Sequence, residues 1–381
     1  MGRELRRTLN RSTLAVPAAL ALGAGVTWNI SNVNPVADSL GPQYGVSLAT
    51  IGLFTTALFV THLLVQVPSG RAADRFGARR VGFAAVGFVA LGNLVCLVAP
   101  APALAVVGRA IVGIGSGSGF VAGADYMRST NPSPFLQGVY GGSTMAGGGL
   151  AIAIVPQLEP WLGWRAAYWT ALVIAAAVCL VLLAAPADSA RVPSGRRGLV
   201  ADRRLLRLAA IHAATFGLSV IAADWSFELL THHGHGRRSS ALIAALFLLA
   251  GMVTRPFGGL LIRRRPGVAR LAVVLSLAVG SSATLLLALP LPLAVLGVAA
   301  LLAGLAAGLP LATVFTRAQA IAPEAPAAAI GLVNGGAVLV IVVGVPLAGL
   351  SFSLPGDGRI GFAVIGLLWA AGLLVIRSST L

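Results

Sequence analysis

Residues 70–80 read GRAADRFGARR, a short basic stretch with a single acid, set between apolar runs at 47–69 and 81–99. Each part of it has a physical reading. Gly70 permits close helix contact and Gly77 a tight turn. Asp74 is suited to accept hydrogen bonds from the N-terminal amides of a helix in the other half of the chain, where the helix dipole favours an anion. Arg75, Arg79 and Arg80 hold the stretch on the cytoplasmic side of a membrane and can pair with nearby acids.

The same alternation of long apolar runs and short basic connections continues outward in both directions. Apolar residues make up 57% of the 381 and charged ones 10%, with a mean hydropathy of +0.91. A water-facing surface on so long a chain needs far more charge, so a soluble protein is excluded. A spanning helix takes roughly 20 mostly apolar residues. About twelve fit, at 13–35, 47–69, 81–99, 103–127, 135–157, 164–186, 207–230, 240–262, 270–289, 291–316, 327–350 and 360–377. The predicted fold class is an all-α membrane protein. The first run continues to about Val36 without a small-residue cleavage site, so it reads as a retained span and not a secretory signal.

A formal net charge of +16 raises the question of nucleic acid, but all 27 basic residues are arginine and most lie in short runs between apolar stretches. That is the pattern of cytoplasmic membrane loops, and no nucleic-acid partner is expected. The absence of lysine, with abundant alanine and glycine, fits a GC-rich bacterial genome. Cys96 and Cys179 fall inside apolar runs and read as small buried hydrophobes, with no disulfide framework. With the N-terminus inside, the cytoplasmic side takes most of the arginines. The outside takes only Arg165, Arg237, Arg238 and Arg359, while Arg109 and Arg255 lie within spans. Both termini are therefore expected in the cytoplasm of a bacterium, with the chain in its inner membrane.

The longest polar stretch, 187–206, divides the chain near its midpoint into expected six-helix bundles at 1–186 and 207–381. A repeat supports the division. VPSG at Val67–Gly70 is echoed by RPFGG at Arg255–Gly259, and PFLQGVYGG at Pro134–Gly142 by PAAAIGLVNGG at Pro326–Gly336. Two parallel six-helix repeats are a known secondary-transporter architecture. Aligning Pro256 with Pro68 sets Ile262 opposite Asp74 and Arg263 opposite Arg75, so the second copy of the basic stretch lacks the acid.

GRAADRFGARR resembles the signature loop of the major facilitator superfamily, G-x-x-x-D-R-x-G-x-R-R. The fourth span carries GRAIVGIGSGSG (Gly108–Gly119), similar to that family's R-x-x-x-G-x-G-x-G stretch. The resemblance implies a carrier whose halves alternate in access to a midplane site, with Gly70, Asp74, Arg75, Gly77, Arg79 and Arg80 forming a conformational latch. Asp125 matches the position from which relatives pair an acid with the signature-loop arginines, and joins the latch. GGSTMAGGG (Gly141–Gly149) is glycine-dense like the antiporter motif of drug exporters but lacks its central Gly-Pro. RPFGG resembles the eighth helix of nitrate and nitrite porters, which bind their anion with paired arginines; the corresponding stretch of the second span, VQVP, has Gln66 and no arginine.

Ionisable groups within a membrane are costly and count as functional candidates. Arg109 and Arg255 are candidate partners of an anionic substrate. Asp224 and Glu228, one helical turn apart with Trp225 between them, are candidate proton carriers. His62, His212, Asn32 within WNISNVNP (Trp28–Pro35) and Asn334 are candidate cavity polars, with packing between helices as the alternative. The run HHGH at His232–His235 completes no metal-ligand spacing and reads as a solvated loop. No phosphate loop, nucleophile–base pair, metal centre or cofactor site is present in the sequence, so enzyme chemistry is not expected. The expectation is a monomeric transporter in the lipid bilayer, moving a small polar, anionic solute with proton coupling. A proton-coupled drug or metabolite exporter is the first alternative, and a non-transporting receptor or scaffold the second.

Overall fold

The computed structural model describes residues 14–188 and 198–376. The basic tail, Arg191–Arg197 of the expected linker and Arg377 lie outside them. The described residues are helical and contain no strand. In chain order the helices are α1 Ala15–Ser31, α2 Ala37–Tyr44, α3 Leu48–Phe76, α4 Ala78–Val98, α5 Pro102–Thr130, α6 Pro134–Leu162, α7 Ala166–Ala184, α8 Arg203–His212, α9 Leu218–His232, α10 Arg237–Arg264, α11 Ala269–Leu287, α12 Leu293–Gly308, α13 Leu311–Ile321, α14 Pro326–Leu350 and α15 Arg359–Ala371.

Among the described residues nine continuous helical runs are long and apolar enough to cross a membrane. One of them, Pro134–Ala184, holds both α6 and α7, which are separated at Gly163, where φ is 56°. The expected first span is α-helical over 17 residues only, because the chain turns away after Ser31 ahead of Pro35. Large apolar side chains such as Leu64, Val98, Leu180 and Leu374 are exposed, while the interior combines small residues and asparagine with large apolar ones such as Leu22, Phe54 and Trp369. An apolar exterior of this extent suits a lipid surround, where close packing decides association between helices.

The chain forms two compact units. The first comprises Met1–Pro132, Ser143–Arg196 and Ala322–Gly331; the second comprises Ser133–Gly142, Arg197–Ile321 and Leu332–Leu381. In the first, α5 packs on α1, α3 and α4. Its alternating glycines serve two faces: side chains at Gly113 and Gly117 would run into the α3 carbonyls of Leu58 and His62, and at Gly108 and Gly115 into the α4 carbonyls of Gly92 and Ala85. The glycine-rich stretch is thus a packing surface. In the second unit α10 packs on α12, and α11 on α12 and α15.

GRAADRFGARR differs from the loop expected. α3 runs unbroken past Pro68 through Asp74 and Arg75, α4 begins at Ala78, and Gly77 alone separates them. Gly77 has φ 91° and ψ 143°, a backbone conformation that side-chain-bearing residues avoid. The first amides of α4, Ala78 and Arg79, are capped by the Asp188 carboxylate, at 3.2 Å for Arg79. The Arg79 guanidinium in turn donates to the Leu182 and Leu183 carbonyls at the end of α7, at 2.9 and 3.1 Å. Each helix end receives the charge its dipole favours.

Candidate functional site

At the start of α14 the N-cap residue, Ala325, has no side chain able to cap the helix, and Pro326 occupies the first helical position. Asp74 supplies the missing acceptor: its Oδ1 and Oδ2 take the Ala327 and Ala328 N–H groups, both at 3.0 Å. The carboxylate is buried, and the backbones touch, since side chains at Gly70 and Gly331 would enter the main chains of Ala327–Ala328 and Gln66 respectively. The carboxylate meets both the unsatisfied amides and the positive end of the helix dipole. Arg75 and Arg80 are exposed, with the Arg75 guanidinium over Phe76 at 5.1 Å. Asp125 is fully buried and accepts from Arg128 Nε and Nη2, both at 2.9 Å.

The second unit repeats this junction between α10 and the start of α6. Gly138 lies against the Arg255 carbonyl as Gly331 lies against that of Gln66, and Gly259 lies against Pro134–Phe135 as Gly70 lies against Ala327–Ala328. These contacts correct the proline-based alignment by one residue. Arg255, not Thr254, is the counterpart of Gln66, and Arg263, not Ile262, is the counterpart of Asp74. A repeated proline marked the region but not the register, because the close backbone approach is set by the glycines.

In the first unit Arg109 is fully buried and spans to the end of α1. Its Nη2 donates to the Asn29 carbonyl at 2.7 Å and its Nη1 to Asn32 Oδ1 at 3.2 Å. Asn32 Nδ2 donates onward to the Ala167 carbonyl at 2.8 Å, and Asn93 Nδ2 to Asn29 Oδ1 at 2.8 Å. Arg109 therefore satisfies the open carboxyl end of a helix that stops early. His62 is buried between α3 and α5, its Nδ1 2.8 Å from Ser116 Oγ and its ring beside Phe59 and Phe120. Arg109, Asn32 and His62 all bridge helices in closed packing.

The second unit gathers Arg255, His212 and Asn334. Between α8 and α9 the helix widens into a π-turn, Ala213–Gly217. It carries Phe216, whose ring lies 4.9 Å from the Arg255 guanidinium carbon and stacks on His212 at 5.2 Å and 21°. Phe315 meets the His212 ring edge-on at 5.2 Å, and Asn334 lies beside it. Arg255 Nη1 donates to the Gly141 carbonyl. Arg255, His212 and Asn334 are buried, but Phe216 is only half-buried. Neither Phe216 nor Asp188 was a sequence candidate. A π-turn leaves no hydropathy signal, and Asp188 sits in polar linker sequence.

Asp224 is exposed and Glu228 half-exposed on α9. Trp225 turns to packing: its Nε1 donates to the Val345 carbonyl at 2.9 Å and its ring lies 5.2 Å from Phe352. His232 Nε2 is 3.4 Å from Glu228 Oε1. Arg359 Nε donates to His233 Nε2 at 3.3 Å, which requires a neutral imidazole with its proton on Nδ1. Burial, followed by the Arg359 charge, holds His233 below the ordinary histidine value. Two of the three histidines in HHGH are thus tied into contacts. No group of three His, Cys, Asp or Glu among the described residues is placed to hold a metal.

Apolar helices in two glycine-knit units, with a buried carboxylate capping a helix, define a multi-pass membrane protein. A family model described as Major Facilitator Superfamily matches residues 19–345, and the chain belongs to that family. No curated protein sequence matches it. Solved structures share the fold at low identity. The human organic anion transporter MFSD10 (TETRAN) has a TM-score of 0.75 at 20% identity, covering 98% of this chain and 99% of that one. The proton:xylose symporter XylE, bound to 6-bromo-6-deoxy-D-glucose, has 0.77 at 13%, covering 96% and 94%. The E. coli fucose:proton symporter FucP has 0.74 at 14%, covering 94% and 97%. The family is one of transporters, not enzymes.

Proposed function

We propose that this chain carries a small organic or inorganic anion across a bacterial cytoplasmic membrane by alternating access, coupled to protons. In this reading twelve helices span the bilayer with both termini in the cytoplasm, six before and six after the 187–206 linker, and the monomer is the working unit. Asp74, with Gly70 and Gly331, is the latch. Asp224, an exposed carboxylate on α9, carries the proton.

The observation that carries the anion reading is Arg255, a buried guanidinium held against the half-buried Phe216 with His212 and Asn334 alongside. An ionisable side chain kept within a membrane span is costly and marks a functional candidate, and a guanidinium is the side chain best suited to an anion. In this reading Arg109 has a different task, satisfying the end of α1. The presence of a human organic anion transporter among the structural neighbours supports the same substrate class.

A thermal-shift screen of purified protein tests this, because a ligand that binds only the folded state raises Tm by mass action. The probes are acetate, lactate, succinate and nitrate, with matched amides and quaternary amines as controls. Anions are expected to stabilise the wild type and not Arg255→Gln. Stabilisation by the amines, dependent on Asp224, would instead identify the rival cation exporter.

A further inference from the structure

Between α10 and α11 the chain reads RRRPGVAR, Arg263–Arg270. The turn joins two helical runs long and apolar enough to cross a membrane, which sets it at the level of the lipid headgroups. Arg263, Arg264, Arg265 and Arg270 are all exposed, and none of the four guanidinium groups has a hydrogen-bond or ion-pair partner among the described residues. The corresponding turn of the first unit is different. It carries Asp74 within it, and the Asp188 carboxylate caps the helix that follows.

In the second unit no such acid is near. The chain has no Asp or Glu from Leu229 to Pro323. The helices packed on α10 and α11 are α9, α12, α13, α15 and the start of α6, and among these residues only α9 carries acids, Asp224 and Glu228. Both lie toward the far end of α10, a helix about 40 Å long at 1.5 Å per residue. The dipole of α10 accounts for cations at its carboxyl end, such as Arg263 and Arg264. It does not account for Arg270, which stands in the first turn of α11, where a cation is disfavoured and neither a side-chain cap nor an acid is present.

Apolar surface leads up to this turn from both helices. Leu246, Leu249, Val253 and Phe257 are exposed and fall on one face of α10 at 3.6 residues per turn, and Arg264, seven residues beyond Phe257, ends the same face. On α11, Leu271 and Leu275 begin a second exposed stripe directly after Arg270. Apolar stripes that end in unpaired cations match the acyl chains and the charged head of an anionic lipid.

We propose that the α10–α11 turn is a binding site for an anionic phospholipid, with Arg264, Arg265 and Arg270 taking the headgroup phosphate and the exposed stripes of α10 and α11 taking the acyl chains. A cluster of arginines beside a spanning helix attracts anionic headgroups electrostatically, and guanidinium groups pair with phosphate by two hydrogen bonds at once. A zwitterionic headgroup brings its own cation to the same arginines and is held less tightly. The inference is independent of the cargo and of Arg255.

The test titrates phosphatidylglycerol and phosphatidylcholine of the same acyl chains into the purified full chain in a neutral detergent, reading apparent affinity by thermal shift. Glycerol phosphate and inorganic phosphate are run in parallel. The variants are Arg264→Gln/Arg265→Gln/Arg270→Gln, the same three positions changed to Lys, and Arg71→Gln/Arg203→Gln/Arg207→Gln, which removes equal charge elsewhere; circular dichroism checks each fold. The wild type is expected to bind phosphatidylglycerol about tenfold more tightly than phosphatidylcholine, with the preference falling to about twofold or less in the first Gln variant and surviving in the other two. Equal binding of the two lipids by the wild type would overturn the proposal. So would an equal loss of preference in both Gln variants, which would mean that total charge and not this turn attracts the lipid. A shift by glycerol phosphate or inorganic phosphate as large as that by phosphatidylglycerol would show a site for soluble phosphate in place of a lipid site.

Discussion

Each unit buries one guanidinium, and the two are treated differently. Arg109 is enclosed by Asn29, Asn32 and the end of α1, with every contact made inside closed packing. Arg255 rests on a half-buried aromatic ring carried by an irregular turn. A similar contrast separates the two junctions. The start of α14 is capped by Asp74, whereas the register of the glycine contacts gives the second junction Arg263 as the counterpart of that acid. Duplicated backbone contacts thus persist while the charges placed on them diverge. The buried charge of one unit ends a helix, and that of the other lies against an aromatic ring.

The largest expected effect sharpens the contrast between the arginines. Arg109→Ala removes two charge-assisted hydrogen bonds and leaves the end of α1 open, so it should cost about 3–5 kcal/mol in chemical unfolding. Arg255→Gln should cost less than half of that. Equal losses would erase the distinction between them. Next comes Asp74→Ala, which removes two capping bonds and a dipole partner and should cost about 2 kcal/mol by the same measurement. A loss of only a few tenths would mean that the cap adds nothing beyond the glycine packing.

Arg263→Asp tries to make the junctions alike. An acid there should cap the first amides of α6 and stabilise the protein by about 1 kcal/mol. Destabilisation would mean that the register drawn from the glycines does not extend to residue 263. The smallest effect concerns His233 in the second unit. Its folded-state pKa lies below the unfolded value of roughly 6.5. The stability it contributes is therefore complete above that pH and lost as pH falls through the folded value. His233→Gln should flatten the acid side of a Tm-versus-pH curve by about one degree. An unchanged curve would show that the Arg359 contact does not govern protonation there.

Much of the fold was legible because a helix in lipid must be long and apolar, and hydropathy reads both. The helical segments lie close to the expected spans, and Asp74 was singled out from the type and spacing of its neighbours. The site was less legible for identifiable reasons. Arg109 and Arg255 look equivalent in sequence, and only three-dimensional partners separate a helix-end cap from a guanidinium on an aromatic platform. Phe216 is one apolar residue in an apolar run, and nothing in AATFG announces a π-turn. The repeat register differs by one residue from the alignment of its prolines because glycine, not proline, makes the contact.

The central claim is that this protein moves an anion and that Asp74 serves the movement, not the binding. Uptake of a radiolabelled anion that stabilises the purified protein, measured in proteoliposomes with an inward proton gradient, tests it most directly. The account predicts saturable uptake by the wild type and at least tenfold slower uptake by Asp74→Asn, with the anion's thermal shift retained. Binding without uptake in the wild type, as expected of a receptor or scaffold, or uptake unaffected by Asp74→Asn, would contradict it.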